Sequence, residues 1–152
     1  MMRTVRSGAL LVLMAFGLSG CLFNSPSNVT KRFVGAIRGL NWAKMEKLVD
    51  WKSSEQALGR SLSENRKDLL VKVAEAVTDY DIGYQGEELS RTKLLYLRVA
   101  KAKVSRQGDD RATVQATVSM GADYETEVVF ATARVGRTWR VVLTPDLVKE
   151  RR

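Results

Sequence analysis

The sequence predicts an α+β fold in which N-terminal helices pack on a curved, four-stranded antiparallel sheet. Three observations carry this expectation. Apolar residues recur at the helical period of about 3.6 as far as residue 79. Beyond Thr92 the period falls to 2, the spacing of strands with one buried face. The period-2 runs are joined by short segments bearing Gly and Asp, which connect successive strands antiparallel. At 152 residues, 45% hydrophobic and 28% charged, the chain has the size and composition of one folded domain, and no internal repeat or low-complexity segment competes with that reading.

In chain order, Val29, Phe33, Ile37 and Leu40 form one stripe, widened by Val34 and Ala36, while Lys31, Arg32 and Arg38 lie off it. This is an amphipathic helix, which Ser27 or Asn28 is placed to cap. Gly39 and Asn41 mark a break before a second, short helix carrying Trp42, Met45, Leu48 and Val49. Residues 53–60 offer only Leu58 as a large apolar side chain and read as a loop or a single helical turn. Ser61 and Glu64 have the spacing of a capping box, introducing a third helix with Leu69, Leu70, Val73, Ala76 and Val77 on one side and an end near Asp79.

Four strands follow, over residues 94–105, 112–120, 124–135 and 138–144. The second shows the clearest alternation, with Ala112, Val114, Ala116, Val118 and Met120 inward against Thr113, Gln115, Thr117 and Ser119 outward. Gly108-Asp109-Asp110, residues 120–123 and Gly136-Arg137 supply the turns of a meander. Helices on one face of such a sheet close a cone.

Residues 1–20 have the parts of a secretory signal: basic Arg3 and Arg6, an uncharged apolar run over 8–18, and small residues before a cleavage point. Eleven residues at about 1.5 Å each span roughly half of a bilayer core, so a permanent membrane span is disfavoured. The junction Leu18-Ser19-Gly20-Cys21 resembles the lipobox of bacterial lipoproteins at all four positions. The resemblance implies palmitate-type acylation of Cys21, cleavage before it, and a thioether in place of the chain's only thiol. Leu22 lacks the Asp that favours inner-membrane retention in the enterobacterial pattern, so the implied location is the outer membrane facing the periplasm. Residues 21–27 then form a tether, 28–148 the domain and 149–152 a basic tail. Losing Arg3 and Arg6 lowers the formal excess of charge from +8 to +6, and a positive domain held on a short tether is drawn to anionic headgroups.

The sequence excludes much chemistry. It contains no His, which removes imidazole bases, catalytic triads that depend on them and the usual catalytic zinc sites. A single Cys forbids an internal disulfide. Asp109-Asp110 lacks the spaced oxygens of a calcium loop. No metal, cofactor or catalytic residue is assigned on these grounds.

Residues 33–48, with Gly39-Leu40-Asn41-Trp42 between helices, and the terminal hairpin over 135–142 resemble the nuclear transport factor 2-like and cystatin-like superfamily. That resemblance implies a pocket at the open end of the cone. Ketosteroid isomerase and scytalone dehydratase are its enzymatic cases and depend on Asp, Tyr or His. Here Asp79, Tyr80, Asp81, Tyr84, Tyr96, Asp123 and Tyr124 are the residue types at hand, although none matches those enzymes' motifs and the two Asp near residue 80 also suit an ordinary helix end and loop. Tyr96, Tyr124, Phe130 and Trp139 are the aromatic residues placed to line a pocket, or alternatively to pack the core. Arg98, Lys101, Lys103, Arg106 and Arg111 gather around one hairpin as a basic surface. Nucleic acid is disfavoured as its partner, because the export signal and the lack of interleaved aromatics argue against it.

The expected function is therefore a membrane-anchored periplasmic lipoprotein that binds an envelope protein or an apolar ligand without catalysis. Its alternatives are a small Asp- and Tyr-dependent isomerase, dehydratase or hydrolase, and a surface adaptor acting through positive charge. Oligomeric state is left open.

Overall fold

A computed structural model describes residues 24–148 of the chain. The expected signal, the lipobox residues Leu18, Ser19 and Gly20, Cys21 and the basic tail lie outside the described residues. Helices α1 (Pro26–Arg38), α2 (Trp42–Leu48), α3 (Trp51–Leu58), α4 (Arg66–Thr78), α5 (Ile82–Gln85) and α6 (Glu87–Lys93) precede strands β1 (Leu97–Arg106), β2 (Arg111–Met120), β3 (Glu125–Val135) and β4 (Thr138–Val142). The strands form one antiparallel sheet in the order β1-β2-β3-β4. This is the α+β architecture expected from the change of period.

The inward face of β2 is as the alternation requires, with Ala112, Val114, Ala116 and Val118 buried. A bulge between Val99 and Lys101 adds one residue to β1 and bends this edge strand. Helix α1 lies across the inner face of the sheet, and its Phe33 meets Phe130 of β3 edge to face, with ring centroids 6.2 Å apart. Both rings are fully buried, beside Ile37, Leu70, Val73 and Val77. Each such side chain contributes about 1.5–3 kcal/mol by leaving water, so this layer is the main source of stability.

Four local details differ from the sequence reading. First, the cap of α1 is Ser25, whose hydroxyl accepts from Asn28 N at 3.1 Å, with Pro26 as the first helical residue. Ser27 and Asn28 are already helical, two and three residues past the cap. Proline fits this position because its missing N–H has no intrahelical acceptor there.

Second, α3 is a helix of two turns where a loop or single turn was expected. Asp50 caps it, accepting from Ser53 N at 3.2 Å, and the Ser54 hydroxyl donates to Asp50 O while accepting from Leu143 N at 2.9 Å. Small buried Ser53 and Ser54 thus replace the apolar stripe that the sequence lacks.

Third, Ser61 and Glu64 do not form a capping box, because Leu62 is buried and pins this stretch as a loop. Leu62 N donates to Glu55 Oε1 at 2.9 Å, and α4 begins after Asn65, itself at φ 58°. Fourth, residues 82–93 contain α5 and α6, which the period did not reveal.

At the break between α1 and α2 the left-handed residue is Leu40 (φ 48°), not Gly39. A Leu tolerates this strained backbone because its side chain is buried, and Asn41 then caps α2 by accepting from Lys44 N at 3.1 Å.

A polar clasp joins α2, α4 and α6. Glu87 accepts from Trp42 Nε1 at 2.8 Å and lies 3.9 Å from both Lys67 and Arg91. The Trp42 hydrogen bond, aided by the two cations and opposed by slight desolvation, holds the Glu87 carboxyl below the ordinary glutamate range. A depressed folded-state pKa adds stability above the unfolded value, and that stability is lost as pH falls through the folded value. The Trp42→Phe variant is expected to raise the Glu87 titration midpoint measured by carboxyl NMR. An unmoved midpoint would show that the indole hydrogen bond is not its cause.

Candidate apolar groove

The two ends of the sheet differ in chemistry. At the end where β1 starts and β2 finishes, Tyr80, Leu89, Thr92, Lys93, Tyr96 and Met120 line an open groove of about 410 Å³. Four of these residues come from one local stretch. Leu89, Thr92, Lys93 and Tyr96 are spaced i, i+3, i+4 and i+7, so α6 and its exit present them along one side. Ser90 and Leu94, i and i+4 on the adjacent side, are buried and fix the helix against the domain.

The sequence dictates this short helix through its ends. Gly86, at φ 84°, permits the sharp entry after α5, and Ser90 Oγ donates back to Gly86 O at 2.6 Å. Glu87 and Glu88 lie in the first turn and Arg91 and Lys93 in the last, matching the helix dipole. That charge pattern after a glycine is the signal that hydrophobic periodicity alone does not carry.

Around the groove, apolar surface is unusually open. Tyr96 is 69% exposed, Leu89 55% and Leu95 59%, and Tyr84 on α5 is more exposed still. Isolated exposed apolar residues are ordinary, but a group lining a concave surface marks a place that excludes water when something covers it. Its ionisable lining residues are Tyr80, Lys93 and Tyr96; no carboxylate contributes to the wall.

The four aromatic residues expected to line a pocket are dispersed. Tyr96 lines the groove. Tyr124 is half-buried and its hydroxyl donates to Val77 O at 3.3 Å, bracing the end of α4. Phe130 belongs to the core against Phe33. Trp139 lies under Arg106 at the opposite end of the sheet, with the guanidinium 5.6 Å from its ring centroid. Tyr80, considered from sequence among the polar candidates for the pocket, also lines the groove, whereas Leu89, Thr92, Lys93 and Met120 were not singled out, since α6 and the groove it forms were not read there.

The acidic residues considered for catalysis or for calcium have backbone roles or turn positions, Asp123 being exposed between β2 and β3. Asp81 caps α5 by accepting from Tyr84 N at 3.1 Å. Asp79 ends α4 in the left-handed region at φ 52°. Asp110 lies in the β1–β2 turn, where its carbonyl accepts from Arg134 N. Among the described residues, no group of three or more acidic, His or Cys side chains is gathered to hold a metal.

The expected basic surface is divided between the two faces of the strand: the bulge brings Arg98 onto the face of Lys101 and Lys103, while strand alternation puts Arg106 on the other. Arg98, Lys101 and Lys103 share the outer face of β1, where Arg98 Nε donates to Ser119 Oγ at 3.4 Å across the strand pair. Arg106 belongs to the inner-face register, over Trp139, and Arg111 donates to Ser53 Oγ at 3.4 Å. Lysines on an edge strand discourage another strand from pairing there.

No protein-family model matches the sequence, and no curated protein matches it either. A crystal structure from Campylobacter jejuni, of a protein provisionally named an NTF2-like transpeptidase, is similar at 16% sequence identity and a TM-score of 0.48, covering 79% of this chain and 99% of that chain. No helix among the described residues is long and apolar enough to cross a membrane.

Proposed function

We propose that this protein is a lipoprotein, acylated at Cys21 and held on the periplasmic face of the outer membrane, whose domain binds an apolar segment of an envelope protein or an apolar ligand and performs no chemistry of its own. The observation that carries the binding reading is the groove. It is concave, its exposed residues are Tyr96, Leu89 and their neighbours, and its walls offer an ammonium and phenols for orientation but no carboxylate for proton transfer. A groove of about 410 Å³ is large enough for several side chains of a bound peptide or for one small apolar molecule. The anchoring reading is supported by Leu18-Ser19-Gly20-Cys21 following an apolar run of signal length.

A photo-activated cross-linker placed at residue 96, with a second copy of the experiment at Lys101 as the control, tests the binding reading in intact cells. A discrete adduct at 96, absent at 101 and weakened by Leu89→Asp, is expected. Equal adducts at both sites, or none at 96, would refute a role for the groove.

A further inference from the structure

The end of the sheet opposite the groove carries a second, independent feature. Asn24, the first described residue, is tied to the β3–β4 hairpin. Its Oδ1 accepts from Trp139 N at 3.1 Å and its Nδ2 donates to Arg137 O. Both amide atoms of one side chain are therefore committed to the backbone flanking a single turn. Three Cα–Cα steps, across Leu22 and Phe23, at about 3.3–3.6 Å each are then all the chain available between Asn24 and Cys21, a reach of about 10 Å. The lipid-bearing position cannot lie far from the hairpin tip, whatever path those residues take.

This same end is basic. The β1–β2 and β3–β4 turns lie side by side there, because β2 and β3 are antiparallel neighbours with Arg111 opposite Ala133. They bring together Arg106, Arg111, Arg134 and Arg137, all exposed. The described partners of three of these guanidiniums are the Trp139 ring, the Ser53 hydroxyl and the Gly136 carbonyl. None of the four forms an ion pair with a described carboxylate, although Asp109 and Asp110 sit in the adjoining turn. Val135, 47% exposed, stands between Arg134 and the tip as an apolar contact of the kind that enters a headgroup layer.

We infer that the hairpin end, with Arg106, Arg111, Arg134, Arg137 and Val135, docks against an anionic bilayer and so directs the groove away from the membrane. The inference rests on the proposed anchor for proximity, while the charge complementarity stands on the domain alone. Each arginine at a negatively charged surface is drawn by an interaction that falls off within a Debye length of about 8–10 Å at ordinary salt. A reach of about 10 Å from Asn24, which is bonded to Arg137 O and Trp139 N, holds the tip of this hairpin near such a surface. Strand β2, of ten residues at about 3.3 Å each, sets the groove roughly 30 Å farther out, where a periplasmic partner can reach it. Without such docking a single point of attachment would not fix which way the groove faces.

The test uses full-length protein extracted from membranes and reconstituted in vesicles of phosphatidylcholine alone or with phosphatidylglycerol. A thiol-reactive fluorophore is placed on Val135→Cys or, in a separate variant, on Leu95→Cys, and quenching by nitroxide-labelled lipid is read together with the mass of the N-terminal peptide. Strong quenching at 135, several-fold weaker quenching at 95, and loss of the difference in Arg134→Glu/Arg137→Glu or at high salt are expected. Both fluorophore sites are already exposed, so neither change threatens the fold.

Quenching at 95 equal to that at 135, or quenching at 135 that ignores phosphatidylglycerol, overturns the docking surface. If Cys21 is acylated in that case, the anchor stands and only the orientation fails. If Cys21 is unmodified, and 135 is still selectively quenched on anionic vesicles when the label is placed in a Cys21→Ser background that leaves no second thiol, the surface stands and the anchor fails. An unmodified Cys21 with no quenching at either site removes both.

Discussion

Replacing Phe130 with Ala is expected to lower the free energy of unfolding by about 3–5 kcal/mol, the range for removing a large aromatic side chain from a packed interior. Phe130 has no exposed surface and its ring is the sheet's contact with Phe33 of α1, so truncation loses transfer energy and opens a cavity between the two layers. The neighbouring Val129 is 54% exposed on the outer face, and Val129→Ala should change stability by no more than about 0.5 kcal/mol. Urea unfolding followed by circular dichroism makes the comparison, with a lower midpoint and an unchanged slope for Phe130→Ala. A loss below about 1 kcal/mol would mean that the helix layer does not rest on this ring.

The second large effect is all-or-none. Cys21→Ser is expected to abolish incorporation of labelled palmitate, because this chain has no other cysteine to carry a thioether. Two or three acyl chains on the proposed anchor, at about 0.8 kcal/mol per buried methylene, would outweigh the roughly 1 kcal/mol that each arginine of the hairpin end would add at an anionic surface. High salt should therefore leave the acylated wild-type chain in the membrane fraction while disturbing its orientation. Label retained by Cys21→Ser would contradict the assignment of the anchor.

How much of this was legible from residues alone follows from the kind of signal each feature leaves. The sheet was legible because β2 has one buried and one solvated face, so Ala112, Val114, Ala116 and Val118 alternate with polar neighbours. Helices α1 and α4 were legible because each buries a long apolar stripe. Helix α3 was missed because its buried contacts are Ser53 and Ser54, which hold it through hydrogen bonds and leave no apolar period. The mistaken capping box at Ser61 and Glu64 shows the converse: correct spacing does not make a cap when Leu62 between them is taken into the core.

The candidate site was less legible. Tyr96 could be picked out as an aromatic residue near a strand, but only strand register places Phe130 in mid-core against Phe33 and Trp139 where the same core reaches the hairpin end. Groove residues Leu89, Thr92 and Lys93 belong to a seven-residue helix too short for a periodicity argument, and Met120 joins them through the course of β2. The clasp of Asn24 on the hairpin spans 115 positions to Trp139 and leaves no local trace at all. It is nevertheless the contact that brings an expected anchor and a basic surface to one end of the molecule.

Native mass spectrometry of the chain released from membranes in mild detergent reads the anchor and the groove together. The account predicts a polypeptide that begins at Cys21, carries covalent lipid, and holds one partner or apolar molecule that the Tyr96→Asp variant loses. A polypeptide beginning at Met1 with a free thiol, or a lipidated chain whose bound species is absent or indifferent to Tyr96→Asp, would contradict it.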